Sequence, residues 1–159
     1  MAKNTSKVKK VAVLTSGGDA SGMNACVRAC VRYALDQGYE VYGVKHGYKG
    51  MVNDEIFKME YSSVSNCVHA GGTILRSSRC PEFKEPEVMN AAVENLLKRG
   101  IENLIVIGGD GSFRGVEAMH EGTKLNVIGI PGTIDNDMGY TDSCLLYTSD
   151  AADDKARVD

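Results

Sequence analysis

The chain has 159 residues, 43% of them hydrophobic, 25% charged and 6% aromatic, which excludes collagenous, low-complexity and disordered classes. Its 18 Lys and Arg against 21 Asp and Glu leave a net charge of −3, so no global field draws nucleic acid or an anionic membrane to the surface. The longest apolar runs, of four residues as in Leu104 to Ile107, are far too short for a bilayer span. The basic start lacks a signal-peptide core, so a cytoplasmic protein with a single sizeable core is expected.

Lys10 to Thr15 is a short apolar run closed by Ser16-Gly17-Gly18-Asp19, which predicts a buried strand. Ser21 is placed to cap a helix whose apolar positions are Met23, Cys26, Val27, Cys30, Val31, Ala34 and Leu35, with Gly38 as its stop. Glu40 to Val44 predicts a second strand. Residues 46–85 carry no clear period beyond a short helix around Ser63 to His69, ahead of Gly71-Gly72. Pro86 suits the first turn of a helix with Met89, Ala92, Val93, Leu96 and Leu97 on its apolar face, ending at Gly100. Leu104 to Ile107 predicts a strand that runs into Gly108-Gly109-Asp110-Gly111-Ser112. A helix follows to about Glu121. Val127 to Ile130 predicts the last strand, ending in Pro131-Gly132-Thr133-Ile134-Asp135-Asn136-Asp137.

Strands alternating with helices specify an α/β fold, a parallel sheet with helices on both faces, Rossmann-like and three-layered but incomplete. Ligands of such sheets bind beyond the carboxyl ends of the strands. The two best-formed glycine loops and the acidic loop all follow strand ends, which places them on one edge. The five cysteines, Cys26, Cys30, Cys67, Cys80 and Cys144, form no CxxC pair and no zinc spacing; reduced structural thiols are expected.

Glycine is 18 of 159 residues, about one and a half times ordinary usage, and it is clustered at these loops. The loop from Ser16 to Gly22 lies between a strand and a helix N-terminus, where free N–H groups and the helix dipole favour phosphate. Its spacing is neither GxGxxG nor that of a P-loop. The loop Gly108 to Ser112 sets one carboxylate, Asp110, among glycines. A hard oxygen beside a phosphate cradle suits Mg²⁺, which takes one or two carboxylates plus substrate phosphates. Asp135 and Asp137, two residues apart, would point the same way from extended backbone. Two such carboxylates raise each other's proton affinity unless a cation is near, so one can serve as base while the other is paired. Each loop also has a plainer reading as a tight strand–helix connection or an Asx-rich turn.

These pieces together resemble the N-terminal half of a bacterial ATP-dependent 6-phosphofructokinase. The resemblance rests on Leu14 to Asp19 with Gly22-Met23-Asn24, Gly71-Gly72-Thr73, Arg79 with Pro81-Glu82-Phe83, the Gly-Gly-Asp-Gly-Ser loop, and Pro131 to Asp137, in family order over residues 10–142. It implies γ-phosphoryl transfer from MgATP to the C1 hydroxyl of fructose 6-phosphate. By similarity, Gly18, Arg79, Cys80 and Gly109, Asp110, Gly111 and Ser112 hold ATP, and Asp110 positions Mg²⁺. Thr133, Ile134 and Asp135 meet the sugar, Asp135 accepts the proton, and Asp137 orients the loop. Asp135, Asp137, Arg79 and Gly18 make up the implied catalytic set. Pyrophosphate-dependent relatives carry an aspartate where this chain has Gly111 and a lysine where it has Gly132, so ATP is favoured as donor.

Arg28 and Arg32 form a basic stripe opposite the apolar face of the first helix, and by similarity they resemble arginines that bind ADP or phosphoenolpyruvate as effectors. The alternative is a solvated helix face. Where bacterial relatives carry a further effector arginine, this chain reads Glu60-Tyr61-Ser62. Family subunits are about twice as long and form homotetramers. Residues 1–142 are expected to be the ATP-binding domain, and 143–159 a non-matching, frayed tail on a truncated chain. A free-standing MgATP-binding module without turnover, and a pyrophosphate-dependent enzyme, are the other readings.

Overall fold

The computed structural model describes residues 8–18 and 22–132. Five strands form one sheet: β1 (Lys10–Thr15), β2 (Glu40–Val44), β3 (Ile56–Met59), β4 (Asn103–Gly108) and β5 (Asn126–Pro131), in the order β3-β2-β1-β4-β5. The first-sequence strand lies at the centre because chain leaves it to one side through α1 (Met23–Asp36) and returns to the other. The switch point between β1 and β4 is therefore flanked by two strand carboxyl ends. β1 pairs parallel with β2 and β4, and β4 pairs parallel with β5.

β3 is antiparallel to β2, so the sheet is mixed rather than wholly parallel. The sequence pattern missed β3 and the short helix α2 (Gly47–Val52) before it. Four residues with one exposed lysine carry too little alternation to stand out. The expected helix at 63–69 proves to be two 3₁₀ turns, Tyr61–Val64 and Cys67–His69. Gly22, not Ser21, is the N-cap of α1, and Ser21 lies outside the described residues.

The alternation along β1 divides the core. Val11 and Val13 pack on the side of α1 with Met23, Val27 and Val31. Ala12 and Leu14 face α2 and α3 (Pro86–Leu97), among Met51, Ala92, Leu96 and Leu104. Leu14 and Leu96 are fully buried, each worth roughly 1.5–3 kcal/mol of transfer free energy. α4 (Asp110–Gly122) covers β4 and β5 on the second face. It starts at Asp110 itself, so Asp110, Gly111 and Ser112 are its first turn rather than a preceding loop.

Asn24 explains part of the Gly22-Met23-Asn24 motif. It is completely buried; its Nδ2 donates to the Ala70 carbonyl (3.0 Å) and its Oδ1 accepts from the Ile74 N–H (2.8 Å). Thr15, at the end of β1, donates from Oγ1 to the Arg76 carbonyl (3.0 Å) and shares a hydrogen bond with Thr73 (3.1 Å). These buried bonds fasten residues 70–76 to the carboxyl edge of the sheet and thereby place Ser78, Arg79 and Cys80.

Candidate active site

A cleft of about 870 Å³ opens at the carboxyl ends of β1, β4 and β5, and its walls include Ser16, Gly17, Gly18, Arg79, Cys80, Gly109, Asp110, Gly111 and Ser112. The three strand ends are held together by backbone hydrogen bonds. The Ser16 N–H donates to the Ile107 carbonyl (2.9 Å) and the Gly132 N–H to the Gly108 carbonyl (2.7 Å). Gly18, Arg79, Cys80 and the whole Gly109–Ser112 turn, widely separated in sequence, thus line one space.

Two glycines here have different reasons. At Gly108 a Cβ would come within 2.6 Å of the Ser16 carbonyl oxygen and 2.5 Å of the Ser112 Oγ, so the crossing of the β1 and β4 ends admits no side chain. At Gly111 a Cβ would meet no atom of a described residue within 4 Å. Protein packing does not require glycine at 111; the side chain is missing from open cleft, where it leaves the first-turn N–H groups of α4 approachable.

The cleft carries two exposed cationic side chains, Arg79 and Lys84, and one carboxylate, Asp110. Asp110 accepts a hydrogen bond from Arg114 one helical turn later (3.0 Å). Both are largely exposed, so the pair adds little stability, and Asp110 remains free to exchange it for another cation. Among the described residues no group of three or more His, Cys, Asp or Glu could hold a metal. A single hard oxygen beside the backbone N–H groups of a helix start fits a Mg²⁺ carried mainly by phosphates. The Cys80 thiol is pushed above its ordinary range by partial burial and by the neighbouring Glu82.

Sequence reasoning missed three lining residues: Tyr48, Ser78 and Lys84. Tyr48 comes from the unread α2. Its hydroxyl donates to the Ser112 carbonyl (2.6 Å), its ring stacks on Phe83 at 4.3 Å, and burial pushes its ionisation upward. The only available signal was an aromatic in a glycine-rich stretch, Gly47-Tyr48-Lys49-Gly50.

Thr133, Ile134, Asp135 and Asp137 lie outside the described residues, as does the tail 143–159. Arg28 and Arg32 lie on α1, away from the cleft. Arg28 donates to the Val64 carbonyl (2.7 Å), and the Arg32 guanidinium sits 5.4 Å over the Tyr61 ring, whose hydroxyl donates to Asp36. Both arginines hold the 61–64 turn against the helix, so they are not a plainly solvated stripe.

The phosphofructokinase family model matches residues 10–151 of this chain. The chain belongs to the phosphofructokinase family. The ATP-dependent 6-phosphofructokinases of Staphylococcus aureus strains JH9 and Newman are each 61% identical to it over 136 residues, 85% of this chain and 42% of theirs. The chain therefore spans less than half the length of the curated relatives it matches. Among solved structures, the phosphofructokinase of Saccharomyces cerevisiae superposes with a TM-score of 0.78 at 37% identity, covering 86% of this chain and 21% of that one. The phosphofructokinase of Pichia pastoris in its T-state gives a TM-score of 0.81 at 36% identity, covering 91% and 17%. A pyrophosphate-dependent phosphofructokinase from Marinobacter aquaeolei, 23% identical with a TM-score of 0.69 over 86% of this chain and 36% of its own, shares the fold.

Proposed function

We propose that this chain is the nucleotide-binding part of an ATP-dependent 6-phosphofructokinase, which transfers the γ-phosphoryl group of MgATP to the C1 hydroxyl of fructose 6-phosphate. The observation that carries the reading is the cleft at three strand ends, whose lining brings together the glycine backbone at 17–18 and 109–111, Arg79 and Asp110. Backbone N–H groups of the Gly109–Ser112 turn would cradle the phosphates, with the positive end of α4 behind them. Arg79 would set positive charge against the transferring group, and Gly18 would let the chain approach closely. Bound Mg²⁺ would neutralise charge between the phosphates, with Asp110 as its protein partner.

Phosphoryl transfer of this kind needs alignment and charge neutralisation more than a strong base. Asp135 would orient the sugar hydroxyl and take its proton late, with Asp137 orienting its loop and Thr133 and Ile134 against the sugar. Glycine at 111 and 132 supports ATP over pyrophosphate. The intact enzyme would be a cytoplasmic homotetramer, with Arg28 and Arg32 as its candidate contacts for ADP or phosphoenolpyruvate.

Calorimetric titration of the chain with MgATP and with magnesium pyrophosphate tests the donor: saturable heat with the nucleotide alone is expected, and binding of pyrophosphate alone overturns the reading. In the intact protein, Asp135→Asn is expected to abolish phosphoryl transfer and spare nucleotide binding; retained transfer removes Asp135 as base. MgATP binding by an intact protein that never phosphorylates fructose 6-phosphate would leave a binding module.

A further inference from the structure

Four non-glycine residues among those described have left-handed backbone: His46, Asp54, Asn66 and Arg76, with φ between 57° and 61°. This region disfavours side chains generally, and His, Asp and Asn enter it most readily. His46 is paired with Glu55, and Asp54 with Arg99 through two hydrogen bonds of 2.6 and 2.7 Å. Arg76 has neither excuse. It is exposed, and its side chain makes no hydrogen bond or ion pair with any described residue.

The surrounding structure holds its backbone in place. The Arg76 N–H donates to the Thr73 carbonyl (3.0 Å), its carbonyl accepts from Thr15 Oγ1 (3.0 Å), and the Leu75 carbonyl accepts from the His46 N–H (2.9 Å). Thr15 immediately precedes the cleft residue Ser16, and Arg76 lies two residues before Ser78 and three before Arg79. A cation that pairs with no described residue is therefore anchored by its backbone beside the cleft, just outside the residues that line it, in a conformation glycine would adopt without strain. Strain retained beside a site marks a residue kept for something other than packing.

We infer that Arg76 is a further anion-binding residue of this cleft, adding its charge to that of Arg79 on the phosphate chain of the bound ligand. This rests on the nucleotide reading above. Its signature is that stability and affinity move in opposite directions when the side chain is removed, as they do where a strained residue serves binding.

The experiment compares Arg76→Gly and Arg76→Lys with the natural chain, titrating MgATP and inorganic tripolyphosphate at low and high salt and recording thermal unfolding. For Arg76→Gly, affinity for both ligands is expected to fall about fivefold at 50 mM salt and by less than about twofold at 0.5 M, where charges are screened within a few ångströms. Its Tm should rise by about 1–3 °C as strain is relieved. Arg76→Lys should keep affinity within about twofold of the natural chain. Unchanged affinity in Arg76→Gly overturns the inference, and so does a loss of affinity accompanied by a lower Tm that lysine does not rescue. If the natural chain binds neither ligand, the nucleotide reading fails instead.

Discussion

The Tyr48 hydroxyl donates a 2.6 Å hydrogen bond to the Ser112 carbonyl, joining helices 64 residues apart in sequence. Its ring stacks on Phe83, so one side chain ties α2 to both the first turn of α4 and the 79–83 wall of the cleft. The fit is close: a Cβ at Gly115 would come within 2.8 Å of the Tyr48 ring. Tyr48→Phe keeps the stack and removes only the bond, leaving a buried carbonyl with one partner fewer. A loss of about 1–2 kcal/mol is expected, seen as a Tm lower by about 2–6 °C, together with weaker MgATP binding.

Gly108 and Gly111 should respond in opposite ways. Gly108→Ala drives a methyl into the Ser16 carbonyl and the Ser112 hydroxyl, so a loss of about 2 kcal/mol or more is expected in denaturant unfolding. Gly111→Asp meets no atom of a described residue within 4 Å of the new Cβ. That variant should unfold at the natural midpoint and bind MgATP at least about tenfold more weakly, because its carboxylate lies against the phosphates.

Cys80 lines the cleft, so its alkylation with iodoacetamide, resolved by peptide from that of Cys26, Cys30, Cys67 and Cys144, reads occupancy of the cleft. Burial and Glu82 raise the Cys80 thiol, and only the thiolate reacts. Labelling of Cys80, followed by mass spectrometry, should be slow at pH 7, accelerate about tenfold per pH unit up to the thiol's own range, and be suppressed by MgATP. Labelling indifferent to MgATP would place the nucleotide elsewhere.

Acid should weaken the fold through two carboxylates. The hydrogen bond from His46, with smaller help from Asn53 and Lys45, holds Glu55 below its ordinary value of 4.5. Tyr42, then Lys58 and Lys10, does the same for Glu40. A carboxyl depressed in the native state binds fewer protons there than in the unfolded chain. Its contribution is present above pH 4.5 and is lost as pH falls through the lower native value. Glu55→Gln should flatten the acid limb of a Tm–pH curve and leave the neutral plateau close to its natural shape.

Among the described residues, four of the five strands and three of the four α-helices were legible because their signals are local: apolar runs at β1, β4 and β5, and 3.6-residue spacing on α1 and α3, each closed by glycine or proline. The glycine turns were legible too, since strand–glycine–helix order alone places them at strand ends, and seven of the implied nucleotide contacts, Gly18, Arg79, Cys80, Gly109, Asp110, Gly111 and Ser112, line one cleft. Residues 46–85 resisted because their conformation is set by distant partners. β3 exists through pairing with β2, and residues 70–76 through the buried Asn24 and Thr15. The tertiary structure alone decided that Tyr48 bridges two cleft walls, that Arg28 and Arg32 clamp the 61–64 turn, and that Arg76 adopts φ 60°. The physical reason is common to all three. Hydrogen bonds and packing between residues far apart in sequence override local preference, and neither their partners nor their geometry leaves a period in the chain.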